Sequence, residues 1–151
     1  MINKSNIFKW VDRLKCKRKR LISFEENYVK CGLPIITLYN DSFPLNFIVD
    51  TGCTTCILTK GALKYLHYTD SKKYDNKIIA AGDNVDVQKV VNLTLNDGCR
   101  CLTADFAVMD MDSQFEEIEK TDKVTVHGIV GGPFIEGLQM VIDYKKLVIR
   151  V

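Results

Sequence analysis

The sequence predicts an all-β fold, a barrel or sandwich built from many short strands. Three observations carry that reading. Short runs rich in Val, Ile, Thr, Phe and Tyr recur after residue 30. Turn signals separate them, among them Asn40-Asp41-Ser42 ahead of Pro44, Gly82-Asp83-Asn84, and Asn96-Asp97-Gly98. Helical spacing appears only in short pieces.

Taken in order, residues 1–20 come first. Ile7, Trp10, Val11 and Leu14 recur at helical spacing, with basic residues between them. This segment reads as a solvated basic arm or a short amphipathic helix that could lie on an anionic membrane. Strands follow over Leu33–Tyr39 and Leu45–Asp50. Thr59 is placed to cap a short helix reaching Leu66, which Gly61 weakens. Ile78–Ala81 and Val85–Leu95 read as strands joined at Gly82-Asp83-Asn84, a hairpin tip. The turn at Asn96-Asp97-Gly98 leads into a strand over Cys101–Met109. Residues 110–126 are polar and acidic, a loop with a short helix near Phe115–Lys120. His127–Val130 is a short strand and Pro133–Gly137 one helical turn. Met140–Ile142 and Leu147–Ile149 form a closing hairpin around Tyr144-Lys145-Lys146.

The 151 residues allow one domain, and 46% apolar content supports a core without metal or disulfides. A net charge of +2 hides an uneven distribution. Residues 1–20 hold eight Lys/Arg and one Asp, and the rest holds 13 basic and 18 acidic residues. A basic arm over residues 1–30 therefore precedes a mildly acidic body over 31–151. No apolar run approaches the length of a membrane span, and no secretory signal is visible. The expected setting is cytoplasmic, with the arm allowing peripheral membrane contact. The six cysteines are expected to be free thiols in that setting.

The chemistry centres on Phe47-Ile48-Val49-Asp50-Thr51-Gly52, followed by Cys53-Thr54-Thr55-Cys56-Ile57-Leu58. An apolar strand delivers a carboxylate to a tight turn. Gly52 permits a close approach that a side chain would block, and Thr51 offers a hydroxyl to tie the turn. Such a triplet is weak alone. A second segment strengthens it: Gly128-Ile129-Val130-Gly131-Gly132-Pro133-Phe134, with Val141-Ile142-Asp143 beyond.

Together these segments resemble the retropepsin-like aspartic proteases, over roughly residues 33–151. That resemblance implies a closed acid-protease barrel with a short helix and a flap hairpin, each chain forming half of a homodimer. It implies an aspartic endopeptidase acting on polypeptides without a cofactor, metal or nucleic acid. Asp50 would be the catalytic carboxylate. Thr51 would grip the partner's loop, and Gly52 would meet substrate with its backbone. Cys53 stands where Ala or Ser is usual. Ala81, Gly82 and Asp83 would belong to the flap. Ile129, Val130 and Gly131 would form the second glycine motif. Gly132 and Pro133 replace the Arg found in viral enzymes, which removes one dimer-supporting ion pair. The chain has one Asp-Thr-Gly, so a second copy must supply the other carboxylate. Two adjacent carboxylates share one proton, which provides an acid and a base together.

Two rival readings exist. Cys53-Thr54-Thr55-Cys56 and Cys99-Arg100-Cys101 could hold zinc or form a redox pair. A role for Cys53 and Cys56 as small buried apolar residues is favoured. The same fold could also serve as a non-catalytic dimerisation or peptide-binding module. His67 and His127 read as surface or packing residues.

Overall fold

The structure, a computed structural model, describes residues 20–71, 78–80, 83–85 and 87–151. The arm at residues 1–19 and the hairpin tip at Ala81 and Gly82 lie outside the described residues.

Alternation of apolar and polar residues builds the sheet. β2 (Ile35–Asn40) and β3 (Phe43–Val49) form an antiparallel hairpin, with Ile36 opposite Phe47 and Leu38 opposite Leu45. β4 (Cys56–Thr59), β5 (Tyr68–Asp70), β8 (Lys89–Asn96), β9 (Cys101–Met109) and β10 (Gly128–Val130) complete it, in the order β2-β3-β10-β4-β9-β8-β5. A further pairing of Tyr39 with Asn96 joins β2 to β8 and closes six of these strands into a barrel. Asn40 seals the closure from inside. Its Nδ2 donates to the carbonyls of His67 and Thr94, and its Oδ1 accepts the His67 N–H. A buried amide satisfied on both sides costs little and fixes one register.

Inward side chains fill the barrel. Phe47, Leu58, Leu93, Phe106 and Phe134 are almost wholly inaccessible. Each such burial contributes about 1.5–3 kcal/mol against exposure. Phe106 links Phe47 and Phe134, with ring centroids at 5.7 and 6.4 Å. β9 alternates at its start, then becomes buried on both faces from Phe106 to Met109. That end pairs in parallel with β4, and its outer face joins Ile57 and Met109 in a separate apolar cluster. Buried parallel strands lose alternation for this reason.

A smaller sheet packs against the same core through buried Ile149. It contains β1 (Leu21–Ser23), β11 (Val141–Asp143) and β12 (Val148–Arg150), in the order β1-β12-β11. Residues 21–30, grouped with the arm by sequence, form β1 and all but the last residue of helix α1 (Glu25–Cys31). No residue of α1 is buried, and Phe24 anchors its start, packing edge-on to Tyr28 and Tyr144 at 5.9 and 5.6 Å.

Several expectations change. The strand expected over Val85–Leu95 is broken. β6 (Ile78–Ala80) pairs with β7 (Asp83–Val85), whereas β8 belongs to the barrel. The two-stranded β6–β7 sheet is separate from the barrel sheet, so no single continuous strand serves both. Asp83 pairs with Ala80 within that hairpin. The helix near Phe115–Lys120 is longer, α2 (Asp112–Asp122), because Phe115 docks on Ile35, Val124 and Val126. Thr59 precedes a 3₁₀ helix over Lys60–Tyr65 but makes no side-chain cap. Its N–H instead donates to the His127 carbonyl.

Candidate active site

β3 carries Asp50 past its last ladder pair to an exposed loop. Three hydrogen bonds shape the turn. The Asp50 N–H donates to the Val130 carbonyl at 3.1 Å, and the Cys53 N–H closes back on the Asp50 carbonyl at 3.2 Å. The Gly52 N–H donates to Asp50 Oδ1 at 2.9 Å, which orients the carboxylate. Thr51 is exposed, and its hydroxyl has no partner among the described residues. Cys53 Sγ donates to the Thr55 carbonyl at 3.0 Å.

The second glycine segment lies against this loop. β10 runs parallel to β3, with Ile129 beside Ile48 and Val130 beside Val49, and antiparallel to β4. The fit leaves no room for side chains at Gly128 and Gly131. A Cβ on Gly128 would stand 2.1 Å from the Ile57 carbonyl oxygen, and one on Gly131 would stand 2.3 Å from that of Thr55 and 2.5 Å from that of Cys53. The Gly132 N–H then donates to the Cys53 carbonyl at 2.8 Å. Residues 50–53 are thus held at both ends by residues 130–132. Helix α3 (Gly132–Gly137) starts immediately, with Pro133 in its first turn and Phe134 buried beneath it.

The structure therefore brings together Asp50, Gly52, Cys53, Ile129, Val130 and Gly131. Asp83 sits in the β6–β7 hairpin. Asp143 serves a turn, its Oδ1 accepting the N–H groups of Lys145 and Lys146.

The cysteines divide by environment. Cys31, Cys53, Cys56 and Cys101 are free thiols. Cys99 is disulfide-bonded, against the expectation of free thiols throughout. Burial pushes the Cys56 thiol up to about 12, despite backbone N–H donors from Gly131 and Phe134. A thiol held protonated is a poor metal ligand and a poor nucleophile. Among the described residues no group of three or more His, Cys, Asp or Glu could hold a metal ion, and no helix is long and apolar enough to cross a membrane. His67 is exposed beside Asp41. His127 is half-buried, and its Nδ1 accepts the Asn46 N–H at 3.0 Å.

A pocket of about 280 Å³ opens beside Asp50, walled by Ile57, Met109, Met111 and Ile129. Sequence reading missed the contribution of the α2 side to it. The signal was present in Phe115, Ile118, Val124 and Val126, whose apolar side chains dock residues 111–126 on the barrel.

The sequence profile of aspartyl proteases matches residues 36–134, about two thirds of the chain. The chain belongs to the aspartyl protease family. Within it, the fold is retropepsin-like. The EIAV protease complexed with the inhibitor HBY-793 superposes with a TM-score of 0.53 at 22% identity, over 71% of this chain and 88% of that one. A retropepsin-like aspartic protease from Rickettsia conorii gives 0.49 at 16% identity, over 88% and 89% of the two chains. The retroviral protease-like domain of Ddi1 from Leishmania major gives 0.47 at 15%, over 75% and 82%. No curated protein matches this aspartyl protease chain in sequence.

Proposed function

We propose that this protein is an aspartic endopeptidase whose active site is completed when two copies meet with their Asp50 carboxylates together. The observation that carries the reading is the pinned Asp50 loop. A carboxylate at an exposed strand end, fixed by the Gly52 N–H and backed by Val130 and Gly131, is pre-positioned yet open on one side. Membership of the family supports it.

The chemistry follows from the pair. Like charges held close together cannot both ionise, so the two carboxylates share one proton. The ionised carboxylate takes a proton from water as its oxygen attacks the peptide carbonyl carbon. The other, carrying the shared proton, donates it to the carbonyl oxygen. Collapse of the tetrahedral intermediate breaks the C–N bond: the carboxyl that took the water proton gives it to the departing amine, and a hydroxyl proton of the intermediate returns to the other carboxylate, which restores the shared proton. Thr51, exposed and without an internal partner among the described residues, would grip the opposite loop. Exposed Leu21 and Val141, on the two edge strands of the small sheet, favour an interface there. Such an interface is two-fold and self-complementary. The basic arm at residues 1–19 would allow peripheral contact with an anionic membrane.

The test is cleavage of a diverse peptide library by purified protein. Cleavage that a statine-type inhibitor blocks and Asp50→Asn removes supports the reading. Cleavage that survives Asp50→Asn sinks it.

A further inference from the structure

We infer that Asp110 makes the pocket beside Asp50 select a basic side chain of the substrate. The inference rests on the protease reading and deepens it.

At about 280 Å³ the pocket stands at the small end of ligand sites, about 300–1,000 Å³. It suits one side chain of a bound peptide. Its walls are apolar: Ile57 and Met109 are buried, and Met111 and Ile129 pack against that cluster. Its charged lining groups, among the described residues, are both carboxylates, Asp50 and Asp110. Asp110 lines it and, among the described residues, makes no hydrogen bond and no ion pair. Gln114, in the first turn of α2, also lines it. Among the described residues, no Lys or Arg lines the pocket.

An apolar pocket with an exposed carboxylate in its lining matches a long stem with a cationic head. Lys and Arg lay their methylenes along apolar surface and hold the charge at the edge. Asp110 is exposed in the free chain, so no buried charge has to be maintained before substrate arrives. Substrate then dries the pocket lining partly, and the attraction strengthens. An acidic side chain would instead meet Asp110 and Asp50 on one pocket. The two-fold axis repeats the pocket, so the preference should appear at two positions, one on each side of the cut bond.

The experiment compares matched peptides carrying Lys, norleucine or Glu at one position at a time. Norleucine keeps the stem and removes the charge. At the responsive positions, kcat/KM for Lys should exceed that for norleucine by about fivefold, the upper end for a partly exposed charge pair. Asp110→Asn should bring that ratio to about one, and Asp110→Lys should turn the preference toward Glu. An unchanged Lys-to-norleucine ratio in Asp110→Asn overturns the inference. A parallel measurement does not depend on cleavage. The same peptides, fluorescently labelled, are titrated against Asp50→Asn protein and against the Asp50→Asn, Asp110→Asn double variant. If wild type cleaves nothing, the protease reading fails, yet a Lys preference in binding that Asp110→Asn removes still upholds the pocket. Binding without any Lys preference overturns it.

Discussion

Gly131 and Gly132 are neighbours with opposite demands, and replacing each by Ala separates them. At Gly131 a Cβ meets two carbonyl oxygens at 2.3 and 2.5 Å. Both belong to backbone, so no side chain can swing aside. Its φ is −96°, open to any residue, so the cost is steric alone. Relief requires the 53–55 backbone to move by about half an ångström or more, which disturbs the Gly132 N–H to Cys53 bond and the turn holding Asp50. Overpacking costs about 1–3 kcal/mol and occasionally more; with the weakened hydrogen bond, about 3 kcal/mol is expected. For a chain of this size that lowers Tm by roughly 6–12 °C. At Gly132 the nearest atom to a Cβ is the Cys53 oxygen at 3.6 Å, an ordinary contact. Ala there begins α3 and should be neutral or stabilising by up to about 1 kcal/mol. Thermal unfolding by circular dichroism at one fixed protein concentration, with peptidase assays alongside, reads both. Gly131→Ala should lose stability and most activity, and Gly132→Ala should lose neither. Equal effects of the two changes would refute the close-packing argument.

Asp50→Asn should abolish cleavage and leave the unfolding curve in place, as the amide can neither activate water nor share a proton. Cys53→Ala should retain activity; Cys56→Ala should retain it too and cost about 1–2 kcal/mol, since Cys56 is buried. Burial lowers the pKa of His127 below the ordinary 6.5. The unfolded chain therefore binds a proton there that the fold resists, so this stability is present above pH 6.5 and is lost as pH falls through the folded value. Denaturation at pH 8 and pH 5 should show the loss, and His127→Gln should flatten it; an unchanged slope contradicts the assignment. Diluting the protein should lower activity per chain, with sedimentation following the same series. Full activity from a demonstrated monomer would exclude a shared site.

The parts legible in sequence were those written in short-range pattern. Val49-Asp50-Thr51-Gly52 and Ile129-Val130-Gly131 each carry apolar residues and glycine at fixed offsets, and both segments fold against each other. The all-β class follows from alternation, as in β8 and β2, whereas closure of the barrel was implied by the family resemblance alone. Elements held by distant partners were hidden. α1 buries nothing of its own and depends on Phe24 reaching Tyr144, so no periodicity announces it. β1 is three residues long and is defined by pairing with β12. α2 lacks a capping side chain, and Met111 stands at its start, so its boundary is set by docking of Phe115. The pocket beside Asp50 was hidden for the same reason, because Asp110 and Gln114 reach it from a segment that reads as loop.

The pairing of β10 between β3 and β4 also dictates when the site can exist. Asn46 and His127, bonded across this seam, are 81 positions apart. Leu21 pairs with Arg150, at the far end of the chain. Closing loops of that size makes folding slow, on the order of milliseconds to seconds. During synthesis the Asp50 loop emerges long before Gly131 does, and without Gly131 it has nothing to lie against. A nascent or truncated chain ending before residue 130 would hold the carboxylate without the cradle that orients it. Orientation of the Asp50 carboxylate would therefore wait until residues 130–132 have been made, a built-in delay between making the loop and setting it.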